Sequence, residues 1–233
     1  MPNWCYTNME IRGDKEDLLK FYDFSEDLRN KGIESYGKDG VDFGASWLGY
    51  YLAGAGIPKE EFGKHYQCRG KVTSFSTKED IEDMEIIQLE TETAWGPMVE
   101  TIQFIVDLSG LDLTLHYYAE ECGMEMYVAS DKSMTDNAEY ILEHYQDMSD
   151  EELETQPELT RKIMASITDR YNDFADTQFL KELFTKVYGA IPMSFDDQLK
   201  KFQDDVEDLP ETLYVRLHKI DFDDDSDVYA SAA

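Results

Sequence analysis

Residues 87–95, IQLETETAW, decide the fold class of this chain. Apolar or small side chains at every second position alternate with polar ones, and this two-residue period predicts a strand with one buried face. Gly96 and Pro97 interrupt the alternation, and proline is favoured in the first turn of a helix. Apolar residues then recur at helical spacing until Gly110, a residue type that commonly follows a helix end. The stretch therefore predicts a strand followed directly by a helix.

Similar alternation appears on both sides of this stretch. Residues 111–117 and 124–128 predict two strands that are joined by a turn at Gly123. Residues 6–11 predict an earlier strand, and the segment after it carries apolar residues at helical spacing. This order of strands and helices matches a split βαβ arrangement, so we predict an α+β fold with a ferredoxin-like sheet.

The predicted organisation has two parts and a tail. Residues 1–132 form the ferredoxin-like α+β domain, with a loop-rich insertion at 31–80. Residues 133–222 form a mainly helical region that ends in a strand. Because a strand needs partners, we expect this last one to return to the sheet. Residues 223–233 are predicted to be an acidic flexible tail.

The helices of the second part are predicted from apolar stripes. A capping box of Thr155 and Glu158 is predicted to begin the second helix, and Ser194 to cap the fourth. The stripes are Ala138, Ile141, Leu142 and Tyr145; Leu159, Ile163, Ile167, Tyr171 and Phe174; Phe179, Leu180, Leu183, Phe184 and Val187; and Leu199, Phe202 and Val206. Alternation at 213–217 predicts the final strand.

The charge of the chain restricts its partners. Its 233 residues include 51 acidic and 21 basic side chains, a net charge of −30 with histidine neutral. Nucleic acids and anionic membranes bind clustered Lys and Arg, so this composition disfavours direct binding to either. It favours a basic protein as the partner, and solubility alone is the other explanation of the charge.

The cysteines and the hydropathy pattern predict a reduced, cytoplasmic compartment. Cys5, Cys68 and Cys122 are far apart and odd in number, and no CxxC pair accompanies them. No run of 18 apolar residues and no secretory leader pattern is present.

No motif predicts a catalytic residue, a metal ligand or a cofactor site. The four histidines lack metal-ligand spacing, and neither a phosphate-binding glycine loop nor a serine-nucleophile motif occurs. Aspartates alternate over residues 221–227 as in a calcium loop. However, Ser226 stands at the required glycine position and Ala232 at the position of the bidentate glutamate. A solvated acidic segment is therefore the favoured interpretation.

An enzyme remains the alternative. A histidine beside carboxylates can perform acid–base chemistry or hold a metal. His116 with Glu120, Glu121 and Glu125 would then form the site of a small metal- or nucleotide-dependent enzyme on the sheet.

Acidic residues are densest at three places in the second half of the chain. They occur at a helix junction, at the end of the last helix, where anions oppose the helix dipole, and in the tail. A solvated face is the ordinary interpretation of each run. We predict that they converge and imitate the phosphates of a nucleic acid. The candidate partner-binding residues are Asp147, Asp150, Glu151, Glu152, Glu154, Asp204, Asp205, Glu207, Asp208, Asp223, Asp224, Asp225 and Asp227.

The first 13 residues, MPNWCYTNMEIRG, resemble the opening of the YubB-like proteins. Residues 92–97 (ETAWGP) are similar to that family's strand-to-helix turn, and residues 118–121 (YAEE) with Gly123 to its hairpin. The resemblance covers residues 1–13 and 84–130. The family consists of uncharacterised phage and plasmid proteins with a ferredoxin-like domain. The resemblance implies that fold and a mobile-element origin, and it transfers no catalytic residue.

Three residues of these segments are predicted to be structural. Trp95 is expected to be a large apolar anchor at the end of its strand. Trp4 and Cys5 are expected to pack, because a cysteine without a basic neighbourhood is a poor nucleophile.

The charge and the resemblance together predict a class of function. We expect a non-enzymatic interaction protein of a phage or other mobile element, without a cofactor, in the cytoplasm of the host cell. Its partner would be a basic nucleic-acid-binding host protein, such as a defence nuclease or a CRISPR effector, which it would inhibit by nucleic-acid mimicry. The oligomeric state stays open, and a dimer through a sheet edge is an alternative that rests on fold analogy.

Overall fold

The computed structural model describes residues 3–36, 44–167 and 173–223, and it separates into two units. The first unit comprises residues 1–134 and 221–233, and the second comprises residues 135–220. The chain is a mixed α+β protein, in which the second unit is inserted between two segments of the first.

The described residues form nine strands and eight α-helices, numbered here in chain order. The strands are β1 (Trp4–Gly13), β2 (Gly70–Phe75), β3 (Ile86–Ala94), β4 (Leu113–Glu121), β5 (Met126–Ala129), β6 (Tyr140–Gln146), β7 (Asp173–Ala175), β8 (Leu213–Lys219) and β9 (Asp221–Phe222). The helices are α1 (Lys15–Tyr36), α2 (Gly49–Gly54), α3 (Lys78–Met84), α4 (Val99–Ser109), α5 (Asp150–Leu153), α6 (Glu158–Ile167), α7 (Thr177–Tyr188) and α8 (Phe195–Glu207).

The first unit is built on a six-stranded sheet of order β2-β3-β1-β4-β5-β9. Only the β5–β9 pair is parallel, and the other four neighbouring pairs are antiparallel. The predicted alternation of β1 is confirmed, because Thr7, Met9 and Ile11 are buried while Asn8 is exposed. One face of the sheet therefore carries the core of the first unit.

Helices α1 and α4 contribute the other half of that core. Leu18 and Phe21 of α1 and Ile102 and Ile105 of α4 are buried in one cluster with the strands. Helix α4 ends at Gly110, as predicted, and this residue has the left-handed backbone (φ 66°) that favours glycine.

Helices α1 and α2 approach each other with their backbones in contact. A Cβ atom built on Gly32 of α1 would lie 1.9 Å from the carbonyl oxygen of Tyr50 in α2. A Cβ atom built on Gly54 of α2 would lie 1.9 Å from the carbonyl oxygen of Leu28 in α1. Both positions therefore require glycine.

The second unit has its own sheet and its own core. Strand β6 lies between β7 and β8 and is antiparallel to both. Leu142 of β6, Leu183 of α7 and Phe202 of α8 are buried in its apolar cluster. The apolar stripe of α7 and the Ser194 cap of α8 are confirmed. The Ser194 side chain accepts a hydrogen bond from the backbone N–H of Asp197.

The helix predicted over residues 138–145 is wrong, because Tyr140–Gln146 is strand β6. Ile141 and Leu142 are both buried although they are neighbours, and Tyr145 is 60% exposed. Adjacent residues of a strand face opposite sides of a sheet, so both sides are covered at this level. The resulting apolar spacing imitates a helical stripe, and the region is less helical than predicted.

Two further predictions for the second unit are wrong. Thr155 does not cap α6, because its hydroxyl donates to the carbonyl oxygen of Glu152 (2.7 Å). Phe174 was assigned to the helix before it, but it lies in β7, while Tyr171 is outside the described residues.

The final strand does not join the first sheet as predicted. β8 pairs with β6, and the two-residue β9 that follows returns to the first sheet beside β5. Asp223, the first residue of the predicted tail, accepts a hydrogen bond from the Tyr117 hydroxyl. Residues 224–233 of the predicted tail lie outside the described residues.

The segment 31–80, expected to be loop-rich, contains more regular structure than expected. It includes the end of α1, all of α2 and β2, and the start of α3. Within the described parts of the chain, no helix combines the length and the apolar character needed to cross a membrane.

Candidate functional site

Two of the three predicted acidic runs adjoin the same pair of strands in the second sheet, since one begins directly after β6 and the other shortly precedes β8. The backbone N–H of Asp147, just after β6, donates to the carbonyl oxygen of Thr212, just before β8 (2.8 Å). Gln146 and Leu213 are paired residues of these two strands. The pairing places the start of the run 147–154 beside the segment that links α8 to β8. The run 204–208 covers the end of α8 and the first residue of that segment. We call residues 147–154 and 204–212 the acidic end of the second unit.

The first run is shaped by the start of α5. Ser149 and Glu152 form a capping box, in which each side chain accepts a hydrogen bond from the other residue's backbone N–H. The Ser149 backbone bond, and then the bond from its hydroxyl, lower the pKa of Glu152. Asp150 and Glu151 lie in the first turn, where the helix dipole favours anions. Glu152 is therefore a capping residue, and its two neighbours point to solvent.

Two other predicted carboxylates form ion pairs with basic side chains. Glu154 accepts from Arg161 (3.3 Å), and Asp205 accepts from Lys201 (2.9 Å). Asp205 also accepts from the Tyr188 hydroxyl (2.7 Å). Burial, followed by this hydrogen bond, raises the pKa of Tyr188. These carboxylates stabilise local structure as well as adding charge.

Six predicted carboxylates of the acidic end remain exposed. Within the described residues, their side chains have no hydrogen bond and no ion pair. They are Asp147, Asp150, Glu151, Asp204, Glu207 and Asp208. Glu207 and Asp208 stand at the C-terminal end of α8, where the helix dipole opposes anions. The sequence therefore places charge at a position that the local structure does not favour.

The third run does not contribute to the acidic end as described. Asp223 belongs to the first unit, where it accepts from Tyr117. Asp224, Asp225 and Asp227 lie outside the described residues.

His116, the centre of the alternative enzyme site, belongs to a hydrogen-bonded chain on the first sheet. Its Nδ1 lies 2.6 Å from Asp131 Oδ2, and its Nε2 lies 3.1 Å from Thr114 Oγ1. Ser130 adds a hydrogen bond to Asp131 Oδ2 (2.9 Å), and its hydroxyl accepts from the Tyr117 N–H (3.0 Å). Both ring nitrogens of His116 are therefore engaged by the protein.

Asp131 was not identified from the sequence, although the hairpin register points to it. Tyr118 pairs with Ala129 in β4 and β5, and extending this register by two residues sets His116 opposite Asp131. Burial alone would raise the pKa of Asp131. Hydrogen bonds from His116, Ser133 and Ser130 outweigh it and hold the pKa well below its usual value.

The carboxylates expected beside His116 make other contacts. Glu120 accepts from the Tyr118 hydroxyl (2.9 Å). Glu121 is buried and accepts from the Gly123 N–H (3.2 Å). Among the residues that the structure describes, no group of three or more His, Cys, Asp or Glu side chains could hold a metal ion. The enzyme alternative gains no support from these contacts.

Trp95 is not the buried anchor that we predicted. Its side chain is 50% exposed, and the Arg69 guanidinium lies 4.0 Å from the centroid of its ring. Its backbone adopts a positive φ of 68°, which ends the alternation of β3 and turns the side chain out of the buried stripe. By contrast, Cys5 packs as expected, because it is fully buried and burial raises its pKa to about 11.

Comparison of the chain with known proteins finds no match among protein families, curated proteins or solved structures.

Proposed function

We propose that this chain is a non-enzymatic acidic interaction protein of a phage or other mobile element. It acts in the host cytoplasm. It binds a basic, nucleic-acid-handling host protein, a defence nuclease or CRISPR effector being the expected type, and occupies the surface that would otherwise hold nucleic acid.

The acidic end of the second unit carries this proposal. The Asp147–Thr212 backbone bond ties the first acidic run to the segment that follows the second, and six carboxylates of the two runs have no partner within the described residues. Like charges repel, so this concentration of carboxylates costs stability, and a function that needs the charge would explain why the chain carries it. Binding to a basic surface, where the carboxylates take the place of phosphates, is such a function.

The net charge of −30 supports the same partner class. The negative charge of this chain attracts a basic protein over a long range, which speeds their association. The same charge repels nucleic acid from the site. Both effects weaken as salt screens the charges.

The fold supports the proposed origin. We infer a ferredoxin-like split βαβ sheet in the first unit. Two features support it: the segment β2-β3-β1-β4 has antiparallel neighbours, and a helix follows each of β1 and β3. This arrangement, with the similarity of residues 1–13 to YubB-like proteins, favours a mobile-element protein.

A pull-down from nuclease-treated host lysate tests the proposal. The tagged chain should retain a basic protein at low salt and release it steeply as salt rises above about 0.15 M. The captured protein should then fail to bind an oligonucleotide while this chain is present.

A matched pair of variants locates the contact. In each variant five exposed carboxylates become amides, so the net charge becomes −30 + 5 = −25. The test variant carries Asp147→Asn, Asp150→Asn, Glu151→Gln, Glu207→Gln and Asp208→Asn. The control, on the first unit, carries Glu34→Gln, Glu79→Gln, Glu82→Gln, Asp83→Asn and Glu85→Gln.

Only the test variant should lose capture. An equal loss of capture in both variants would show that capture depends on net charge alone and not on the acidic end. Salt-insensitive capture, or a captured protein that still binds its oligonucleotide, would overturn the proposal.

A further inference from the structure

Two tyrosines next to the acidic end expose their rings to solvent. Tyr145 of β6 is 60% exposed and Tyr214 of β8 is 37% exposed. The two residues are directly paired across the strands. Side chains of such a pair stand on the same face of a sheet, with their Cβ atoms about 5 Å apart. The second sheet therefore presents two large rings side by side.

Asp147 lies on the same face of this sheet. It directly follows β6, and its backbone N–H still bonds to the carbonyl oxygen of Thr212, so the ladder continues through it. Alternate residues of a strand share a face, and Tyr145 and Asp147 are about 7 Å apart along the strand. Asp147 is exposed, and its carboxylate has no hydrogen bond or ion pair with any residue that the structure describes. A tyrosine ring thus lies beside an available carboxylate.

The two rings differ in how they are held. The Tyr214 hydroxyl donates to Glu143 (3.1 Å), and the Arg216 guanidinium lies 5.1 Å from the centroid of the Tyr214 ring. Tyr145 makes no ring contact, cation contact or side-chain hydrogen bond with the described part of the chain. Tyrosine is enriched at protein interfaces, where its ring is buried while its hydroxyl stays hydrated. The Tyr145 ring is therefore open to a partner.

The arginine side chain fits a ring that stands beside a carboxylate. Its guanidinium is planar and stacks on aromatic faces, and its N–H groups can form two parallel hydrogen bonds to one carboxylate. Lysine instead carries a compact, strongly hydrated charge that has no plane to stack. Arg216 already places a guanidinium over Tyr214 within the chain. Tyr145 with Asp147 is complementary to a further guanidinium, supplied by another molecule.

We propose that Tyr145, Tyr214 and Asp147 form an arginine-binding surface for the basic partner of this chain. This inference rests on the proposed function and specifies the chemistry of the partner. Proteins that hold single-stranded nucleic acid combine a positively charged groove with side chains, arginine included, that stack on bases. In the complex the Tyr145 ring takes the place of a base, and the Asp147 carboxylate takes the place of a phosphate. The partner surface is one that holds nucleic acid through stacking arginines.

Tyr6 on the first unit provides a matched comparison. It is 51% exposed, and its paired residues on both sides are the glutamates Glu92 and Glu120. Each of these carboxylates already has a partner, because Glu92 pairs with Lys71 (2.8 Å) and Glu120 accepts from the Tyr118 hydroxyl (2.9 Å). Tyr6 thus has a ring of similar exposure, but its neighbouring carboxylates are engaged.

Calorimetric titration with a short peptide of arginines and a peptide of the same number of lysines tests the proposal. Both peptides carry the same charge, so the ratio of their affinities reports the contribution of stacking. At about 0.15 M salt, the wild type should bind the arginine peptide about three- to tenfold more tightly than the lysine peptide. Equal affinities would overturn the proposal.

Variants assign the preference to this surface. Tyr145→Leu should reduce the ratio of the two affinities to less than about twofold, because it removes the ring, whereas Tyr145→Phe keeps the ring and should keep the preference. Tyr6→Leu should leave both affinities within about twofold of the wild type. A preference that survived Tyr145→Leu, or that fell equally in Tyr6→Leu, would overturn the proposal.

The pull-down separates this inference from the proposed function. If Tyr145→Leu captured the same salt-sensitive basic protein as well as the wild type does, the proposed function would stand and the arginine-binding surface would be wrong. If no basic protein were captured while the preference for arginine depended on Tyr145, the surface would stand and the proposed function would be wrong.

Discussion

Strands β1 and β6 hold the same position in their two sheets, yet only β1 is apparent from the sequence. Each is hydrogen bonded to a neighbour on both sides. In β1 the buried residues Cys5, Thr7, Met9 and Ile11 follow a strict two-residue period. In β6, burial falls on the neighbours Ile141 and Leu142. Alternation thus reveals a strand only when one face is buried along its whole length.

The largest expected effect tests whether these two strands anchor separate cores. Ile11 and Leu142 are almost fully buried, each in a different apolar cluster. Ile11→Ala and Leu142→Ala should each destabilise the protein by about 2–5 kcal/mol, through lost burial and the cavity left behind. Hydrogen exchange should show faster opening of β1 and its neighbours in the first variant, and of β6 and β8 in the second.

Asn8→Ala, at an exposed position of β1, should change stability by less than about 0.5 kcal/mol. If either core variant accelerated exchange equally in both units, the chain would unfold as one cooperative body and the comparison of two cores would fail.

The next effect concerns how each unit joins its helices. The first unit brings α1 and α2 together at Gly32, whereas in the second α7 and α8 meet through Phe184 and Phe202, with ring centroids 5.4 Å apart. Gly32→Ala should cost about 1–3 kcal/mol in urea unfolding, because the added methyl group collides with the Tyr50 backbone.

Gly96→Ala provides the matched control for this prediction. Nothing lies within 4 Å of a Cβ atom at Gly96, so its unfolding free energy should change little. An equally mild Gly32→Ala would show that α1 and α2 can separate, and that the close approach does not fix them.

The smallest effect contrasts the engaged carboxylate Asp131 with the unpartnered carboxylates of the acidic end. Asp131→Asn should destabilise the protein by about 1–2 kcal/mol at neutral pH, because it weakens the bonds to His116, Ser130 and Ser133. The pKa of Asp131 is lowered in the folded state, so the unfolded chain binds more protons there. This stabilisation is present above the unfolded pKa of about 3.9, and it is lost as the pH falls below that value.

Urea unfolding at several pH values measures the difference between wild type and Asp131→Asn. The difference should shrink below about pH 4. Asp83→Asn, which removes an exposed carboxylate with no partner among the described residues, should show no such pH dependence. A difference that persisted in acid would assign the effect of Asp131 to shape and not to charge.

The first unit could be predicted well from sequence because its signals are local. The alternation of β1 and β3 and the glycine at the end of α4 each depend on a few neighbouring residues. Strand β2 was missed because it lies at the edge of the sheet, where only Gly70 is buried. The sequence does not reveal the partner of β8, because the apolar spacing of β6 predicts a helix and leaves the first sheet as the only expected partner.

The candidate site was predicted less completely, since it depends on pairing between distant residues. The acidic residues are visible in the sequence, but the contact of Asp147 with Thr212 follows from the register of β6 and β8. The exposure of Trp95 depends on its positive backbone angle φ, which no residue pattern in the sequence predicts. Asp131 could have been found, because the register of the β4–β5 hairpin needed only to be extended.

The return of β9 to the first sheet has a consequence for how this chain could have arisen. The ends of the second unit meet, because the Ile220 N–H donates to the Glu139 carbonyl oxygen (3.0 Å) and Tyr140 pairs with Lys219. Segments whose ends are close are tolerated as insertions within another domain. A single recombination event could therefore add or remove the second unit without interrupting the sheet of the first unit. The acidic end belongs to the second unit and would be gained or lost with it.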